Sequence, residues 1–343
     1  MSPPALGRVV DWRVEVPPAP ARWRSRRKLV NAAAVAHALV RPHRGGRDGS
    51  DRTDPYPKVF VVGCGRSGTT WVQDIIAASP RVATTQESHA YDSLFAPLVK
   101  AGIRRPEGWL KVLQRFDLSW REQRWVGIYW WVTRTQLVDI MHEVVERRDL
   151  DEIAGASLAV RGVFDRWFAG HRSGADVLLE KTPGHVAFAA EILDAFPEAR
   201  VIEVVRDGRD VCVSLEKQAL TLRWPPTRRE DQIRLWRRAI ERGQRLQAEP
   251  RWEGRVQRVR YEDLHADPVG EVIRLYSFLG FPIDERVAAG ITDRTSITHF
   301  SDRTEGRHRR KGAVGEWRTT LDVDDIDLIE REAGELLRAM GYS

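Results

Sequence analysis

The sequence predicts an α/β protein of three layers, in which a central parallel sheet lies between helices, with an added helical insertion rich in tryptophan. Short apolar runs typical of buried strands recur along the chain, and amphipathic helical patterns follow most of them. Such alternation favours parallel strands joined by right-handed crossovers. Of the 343 residues, 42% are hydrophobic and 30% are charged, which suits one large domain or two small ones and excludes a largely disordered chain.

The predicted elements fall within a domain that covers residues 58–343. The strands are predicted at residues 59–62, 82–85, 177–180, 201–205 and 256–260. Helices are predicted at residues 184–195, 210–220 and 268–279. The insertion covers residues 88–174 and contains Trp109, Trp120, Trp125, Trp130 and Trp131. Core packing explains most of these aromatics, and a few of them are candidates for the wall of a substrate pocket.

Residues 1–57 are predicted to form an N-terminal extension and linker. A basic run at 24–28 lies within a predicted amphipathic helix at 21–40, and the polar, glycine-rich stretch 41–54 is typical of a linker. A basic amphipathic helix can make peripheral contact with a membrane surface, although such helices more often pack on their own domain.

The charge and the cysteines narrow the class of protein. The net charge is +6, but acidic residues are interspersed with the basic ones, which favours a small polyanion over nucleic acid as the ligand. Cys64 and Cys212 are too few for a disulfide framework or a four-cysteine zinc site and are predicted to be buried thiols. We expect a cytoplasmic protein, because no apolar run approaches the roughly 18 residues of a membrane span and the start lacks the apolar core of a secretion signal.

The glycine-rich segment Gly63-Cys64-Gly65-Arg66-Ser67-Gly68-Thr69-Thr70 lies between a predicted buried strand and a helix. Such a turn presents backbone N–H groups and a positive helix end to an anion. It differs from the nucleoside-triphosphate loop, because Thr69 stands where that signature has its lysine and the cation lies inside the loop as Arg66. No strand ends in a clear magnesium carboxylate, since Asp207 is flanked by arginines that are expected to pair with it.

The loop and the tryptophan that follows it resemble the 5′-phosphosulfate-binding loop of sulfotransferases that use 3′-phosphoadenosine 5′-phosphosulfate (PAPS), which have a P-loop-like fold. The arginine in the loop is more similar to the bacterial and protein-tyrosine branches than to the cytosolic animal branch. The resemblance implies that the donor's 5′ end is bound by Arg66, Ser67, Gly68, Thr69 and Thr70, and that Trp71 stacks on adenine.

Three later segments extend the resemblance, which runs from about residue 58 to 318. Arg206 and Ser214 are similar to the family's 3′-phosphate pair, and Tyr261 in R-Y-E-D-L is implied to lie near the adenine. The segment R-K-G-A-V-G-E-W-R is similar to the family's second 3′-phosphate motif, which implicates Arg310, Lys311 and Gly312.

The same resemblance assigns catalytic roles. Arg66 is implied to stabilise the leaving phosphate, and Lys181 in E-K-T-P to approach the group being transferred. Glu87 is the first candidate for the general base; His185 is the alternative, and His89 is a further rival. Because arginine and lysine can supply the positive charge, we expect no metal requirement.

The acceptor is left open by the sequence, as is the oligomeric state. A hydroxyl or amine on a carbohydrate, a glycolipid or lipid-linked molecule, or another small molecule fits the resemblance. Two other functions compete with sulfuryl transfer: a small-molecule or nucleotide kinase with a P-loop, and a non-catalytic anion-binding protein.

Overall fold

The computed structural model describes residues 56–121, 127–296 and 312–342. The predicted N-terminal helix, its linker and the pair Arg310 and Lys311 lie outside these residues. Contacts among the described residues define two compact units, one of residues 56–57 and 80–178 and the other of residues 58–79 and 179–342. The first unit contains the described part of the tryptophan-rich segment, and the second contains the glycine-rich loop.

Five strands form one sheet, which confirms the predicted fold class. They are β1 (Lys58–Gly63), β2 (Val82–Thr84), β3 (Val177–Lys181), β4 (Arg200–Val205) and β5 (Val256–Arg260). Their order in the sheet is β2-β3-β1-β4-β5. Strand β4 pairs in parallel with both β1 and β5, with Phe60 opposite Val201 and Val204 opposite Val259. The side chains of β1 and β3 are buried throughout, as expected for parallel strands covered on both faces.

Thirteen α-helices lie within the described residues. In chain order they are α1 (Thr69–Ala77), α2 (Ala96–Ala101), α3 (Pro106–Arg121), α4 (Arg134–Glu146), α5 (Glu152–His171), α6 (Ala189–Ala195), α7 (Gly208–Ala219), α8 (Arg229–Ala248), α9 (Tyr261–Ala266), α10 (Pro268–Phe278), α11 (Glu285–Thr295), α12 (Trp317–Thr320) and α13 (Val323–Ala339). A π-helical turn covers Tyr91–Phe95, and 3₁₀ turns cover Ile128–Trp130, Pro183–Phe188 and Pro250–Trp252. Within this described part of the chain, no helix combines the length and apolar character that a membrane span requires.

The starts of these helices follow from local sequence. Asp207 accepts a hydrogen bond from the Arg209 amide at the start of α7, and Asp267, followed by a proline, caps α10 through the Gly270 amide. The helix predicted over residues 184–195 forms differently, because its first half is the 3₁₀ turn Pro183–Phe188 and only α6 is α-helical.

Core packing accounts for much of the tryptophan in the first unit. Trp109 is fully buried, and its indole N–H donates to the Ile103 carbonyl at 2.7 Å. Trp131 is buried as well and donates to the Gln86 carbonyl at 2.9 Å. Its ring packs against Trp167, with the centroids 4.8 Å apart. These rings stabilise the helical unit.

Both cysteines are buried free thiols, as predicted. Burial raises the pKa of Cys64 far above its ordinary value and that of Cys212 to about 12. The two side chains therefore act as small apolar groups at neutral pH.

Candidate functional site

The glycine-rich loop from Gly63 to Thr70, which is the predicted phosphate loop, connects the end of β1 to the start of α1. Gly68 occupies the N-cap with φ 94°, and no side chain caps the helix. The Ser67 amide donates to the Cys64 carbonyl at 3.2 Å and closes the turn. The Trp71 amide donates to the Gly68 carbonyl at 2.9 Å, whereas the amides before it precede the first hydrogen bonds of the helix. The N-terminus of α1 can therefore offer N–H groups and a positive dipole end to an anion.

Gly68 also allows Tyr261 to approach the loop. A Cβ atom at Gly68 would lie 2.4 Å from Tyr261 Cδ2. The Tyr261 hydroxyl donates to the Gly312 carbonyl at 2.6 Å, and burial raises the pKa of Tyr261 to about 12. Tyr261, predicted from the R-Y-E-D-L motif, therefore connects the phosphate loop to the segment that begins at Gly312.

Arg66 adopts a left-handed backbone conformation, with φ 75°. A residue with a side chain rarely takes this conformation, and its occurrence in a tight loop is typical of functional sites. The Arg66 Nε donates to Ser214 Oγ at 3.1 Å, and Arg206 Nη1 donates to the Arg66 carbonyl at 3.4 Å. Three predicted anion-binding residues thus meet: one from the loop between β1 and α1, one directly after β4 and one from α7.

Arg206 lies at the centre of this group and is 5% exposed. Its Nη2 donates to the Ala313 carbonyl at 2.9 Å and lies 3.7 Å from the Asp210 carboxylate. The guanidinium also stacks on the Tyr261 ring, 4.4 Å from its centroid. Asp207, in turn, pairs with Arg209 at 2.8 Å, in agreement with the expectation that its carboxylate is already paired.

Two buried polar atoms at the loop have no hydrogen-bond partner among the described residues: Ser67 Oγ and Arg206 Nε. Buried polar groups in folded proteins are nearly always hydrogen-bonded, so a hydroxyl and a guanidinium N–H without partners beside the glycine-rich loop could donate to an anion placed there. These two atoms fit the phosphate groups of the donor that the sequence implies.

The segment that follows the basic pair at 310–311 is held by Asp210, which sequence reasoning missed. Its carboxylate accepts from the Gly315 amide at 2.8 Å and from the Trp317 amide at 3.0 Å. The guanidinium of Arg209 stacks on the Trp317 ring at 4.0 Å. Asp210 therefore holds the segment whose Ala313 carbonyl accepts from Arg206, and its position in the first turn of α7 also suits the helix dipole.

An aromatic cluster of Trp71, Tyr261 and His265 lies beside the loop. The His265 ring is 4.9 Å from Trp71 and 4.7 Å from Tyr261, and the Trp71 and Tyr261 centroids are 5.7 Å apart. Burial and the nearby charge of Arg206 lower the pKa of His265, which favours the neutral ring. His265 was missed by sequence reasoning, although its spacing of four residues from Tyr261 on one helix is a usable signal.

Lys181 ends β3, the strand next to β1 in the sheet, and is 6% exposed. The carboxyl ends of neighbouring parallel strands lie at the same edge, so Lys181 and the phosphate loop share that edge. Glu180 and His185 are both completely buried, with Glu180 Oε2 3.0 Å from His185 Nδ1. Thr182 donates to the other Glu180 oxygen at 2.5 Å, so the segment around Lys181 is fixed by buried hydrogen bonds.

Glu87 belongs to the other compact unit. Its carboxylate lies 3.3 Å from His89 Nε2, and its carbonyl accepts from the Gly127 amide at 2.7 Å. The second ring nitrogen of His89 lies 3.3 Å from Asp92. Burial opposes a charge on His89, but hydrogen bonds to Asp92 and Glu87 outweigh it and raise the pKa of His89 to about 9. His89 thus acts as the ionic partner of Glu87 at neutral pH.

Residues 56–121, 127–296 and 312–342 contain no group of three or more histidine, cysteine, aspartate or glutamate side chains that could hold a metal ion.

Two known sulfotransferases are similar in sequence to parts of this chain. Human carbohydrate sulfotransferase 1 is 28% identical over 172 residues, which cover 42% of this chain and 38% of that protein. Protein-tyrosine sulfotransferase A of Caenorhabditis elegans is 24% identical over 241 residues, which cover 70% of this chain and 53% of that protein. The chain thus spans less than two thirds of either relative.

Among solved structures, mouse sulfotransferase SULT7A1 complexed with PAP superposes with a TM-score of 0.50 at 14% identity, over 82% of this chain and 85% of that one, which shows a shared fold. The model of the "Sulfotransferase family" matches residues 57–285, which is more than half of the sequence. The match includes the phosphate loop, Arg206, Ser214 and Tyr261, so the chain belongs to the sulfotransferase family.

Proposed function

We propose that this sulfotransferase uses PAPS as its donor and transfers the sulfuryl group to a hydroxyl, or an amine, of a carbohydrate, a glycolipid or another small molecule. The observation that carries the proposal is the convergence of Arg66, Arg206 and Ser214 at a phosphate loop that also contains the orphaned Ser67 Oγ. One buried guanidinium and two hydroxyls beside a helix N-terminus supply the donors that a doubly phosphorylated nucleotide needs.

The binding roles divide between the two ends of the nucleotide. Arg66 and the loop from Ser67 to Thr70 bind the 5′ end, while Arg206, Ser214 and Gly312, together with Arg310 and Lys311 just before it, bind the 3′-phosphate. The aromatic cluster of Trp71, Tyr261 and His265 supports an adenine site, because flat rings at 4.7–5.7 Å spacing offer a face to a base.

Catalysis in this proposal is positioning plus charge stabilisation. PAPS supplies the sulfuryl group, Arg66 stabilises the charge that develops on the leaving phosphate, and Lys181 approaches the sulfuryl group as it is transferred. Two such cations replace a metal ion, so we propose metal-independent transfer. The buried bond between Glu180 and His185 supports a positioning role, since it holds the short turn that carries Lys181.

Glu87 is our proposed general base, and His185 is the alternative. The Glu87 side chain is 23% exposed, while His185 is completely buried and engaged by Glu180. A base must reach the acceptor's proton, which favours the more accessible group.

Two names among the relatives bear on the acceptor: one is a carbohydrate sulfotransferase and the other a protein-tyrosine sulfotransferase. Both acceptors carry a hydroxyl, and we place a carbohydrate first.

Calorimetry with PAP, ATP and a DNA duplex, each titrated once with excess EDTA and once with Mg²⁺, tests the donor. We expect PAP to bind without metal while ATP and DNA do not; ATP binding that requires Mg²⁺ would favour a kinase instead. Arg66→Ala should weaken PAP binding, whereas Arg251→Ala, which removes an arginine whose side chain is 55% exposed, should not. Transfer of ³⁵S from labelled PAPS to a panel of sugars and phenols then tests turnover.

A further inference from the structure

Trp224 lies directly over the phosphate loop, in the connection between α7 and α8. A Cβ atom at Gly65 would be 3.1 Å from Trp224 Cη2 and 3.5 Å from Cζ3, so the six-membered edge of the indole faces the residue before Arg66. The residue is nevertheless 54% exposed. Exposed tryptophans are uncommon on protein surfaces in general and are enriched where proteins bind partners and ligands.

The connection that carries Trp224 is held in place at both sides. Pro225 is buried. The side-chain amide of Gln232, a residue that is only 1% exposed, donates to the Pro226 carbonyl at 2.9 Å. On the other side, the Leu222 amide donates to the Gln218 carbonyl at 2.9 Å. The ring is thus presented on a fixed backbone, which reduces the entropy lost when a ligand stacks on it.

The surroundings of Trp224 select the type of ligand. Four residues near it in sequence are exposed and polar, namely Thr221, Arg223, Thr227 and Arg228, whereas the apolar Leu222, Pro225 and Pro226 are buried or half-buried. Among the described residues, no aromatic ring or guanidinium stacks on the indole. A wholly apolar ligand prefers a pocket with apolar walls. A sugar ring instead offers one face of C–H groups to the indole and a rim of hydroxyls to polar neighbours.

We infer that Trp224 is an acceptor-binding residue on which a pyranose ring stacks, so that one of its hydroxyls lies at the Arg66 end of the loop. This inference rests on the proposed function, because it takes the phosphate loop as the donor site. It adds a specificity-determining residue that the loop motifs do not contain.

The test compares Trp224→Ala, Trp224→Phe and Leu220→Ala, with methyl β-lactoside and N,N′-diacetylchitobiose as sugar acceptors and 2-naphthol as an aromatic one. Leu220 is 82% exposed, lies four residues before Trp224, and serves as the matched control. We expect Trp224→Ala to raise the KM for the sugars about 10-fold, with the Kd for PAP and the circular dichroism spectrum unchanged. Trp224→Phe should recover most of the loss, and Leu220→Ala should have no effect.

The inference is overturned if Trp224→Ala leaves the sugar KM within about 2-fold of the wild-type value, or if only 2-naphthol is sulfated. In either case PAP binding and sulfate transfer would still support the proposed function. Failure of the wild-type protein to bind PAP or to transfer sulfate to any acceptor would instead contradict the proposed function itself.

Discussion

The Nε of Arg66 donates a hydrogen bond to Ser214 Oγ at 3.1 Å, although 148 residues separate the two in sequence. Arg66 belongs to the loop that is proposed to bind the 5′ end of the nucleotide, and Ser214 to the pair proposed for the 3′-phosphate. Their contact joins the two proposed phosphate sites through one guanidinium. Substitutions at the two positions are therefore expected to be coupled.

Arg66→Ala should weaken PAP binding by about 10- to 100-fold, because hydrogen bonds to charged groups contribute about 1.5–3 kcal/mol. Ser214→Ala should weaken it by about 5-fold, since it removes a neutral donor worth about 1 kcal/mol. The double variant should lose clearly less than the product of the two, because each single change already disturbs the shared contact. Calorimetric titration of all four proteins measures this. Independent, multiplicative losses would show that the contact has no role in binding.

Gly68→Ala tests the close approach of Tyr261 to the loop. Any residue that has a side chain is strained at φ 94°, and here the new Cβ would also lie only 2.4 Å from Tyr261 Cδ2. Tyr261 cannot easily retreat, because its hydroxyl is bound to the Gly312 carbonyl and its ring is stacked under Arg206. We expect a loss of about 2–4 kcal/mol in unfolding free energy and a large loss of PAP affinity.

Gly174→Ala is the matched control for that variant. Its φ of 91° is nearly the same, but a Cβ there meets nothing within 4 Å. It should cost only the conformational strain, about 1–2 kcal/mol, and leave PAP affinity unchanged. Equal effects of the two variants in thermal unfolding and PAP titration would mean that the contact with Tyr261 is unimportant.

The fold was largely predictable because the local sequence of each strand is distinctive. Runs such as the one at residues 59–62 are apolar on both faces, which only a covered parallel sheet requires, and β1 is buried throughout. The helix predicted over 184–195 was wrong in its first half, because the bond between Glu180 and His185 and the proline at 183 favour a 3₁₀ turn there. Such tertiary contacts leave no periodic signal.

The site was predictable only where motifs mark it. Arg66, Arg206, Ser214 and Tyr261 were found from motifs, and the structure brings them together. Asp210 and Trp224 were missed, because their roles depend on partners at residues 315–317 and 65 that are distant in sequence. The aspartate resembles any acidic residue in a first helical turn, and the tryptophan any residue of a loop.

Glu87→Gln and His185→Asn separate the two candidates for the general base. We expect Glu87→Gln to lower kcat by about 10²- to 10⁴-fold with the PAP Kd unchanged. The asparagine amide can replace the Nδ1 donor to Glu180 while removing the other ring nitrogen, so His185→Asn should keep stability and most activity. A kcat that collapses in His185→Asn but survives in Glu87→Gln, with both proteins folded and binding PAP, would reverse the assignment.

His89 should make the folded protein less stable as the pH becomes alkaline. Its pKa is raised from 6.5 to about 9 in the folded protein, because bonds to Asp92 and Glu87 outweigh the effect of burial. An ionisable group whose pKa is higher in the folded than in the unfolded protein contributes its full stabilisation of the fold below the unfolded pKa. That contribution is lost as the pH rises through the folded pKa. The stabilisation from His89 is therefore complete below about pH 6.5 and disappears as pH passes about 9.

Because the His89 side chain is 35% exposed, solvent screens both of its ion pairs, and we expect about 1–2 kcal/mol to be lost over this interval. Urea unfolding of wild type and His89→Asn between pH 6 and 10 measures it. Asparagine tolerates the φ of 48° at this position but carries no charge, so the variant should be less stable than wild type at pH 6 and nearly equal at pH 10. If the stability difference between the two proteins stayed constant across that range, the ion pairs of His89 with Glu87 and Asp92 would not contribute to folding.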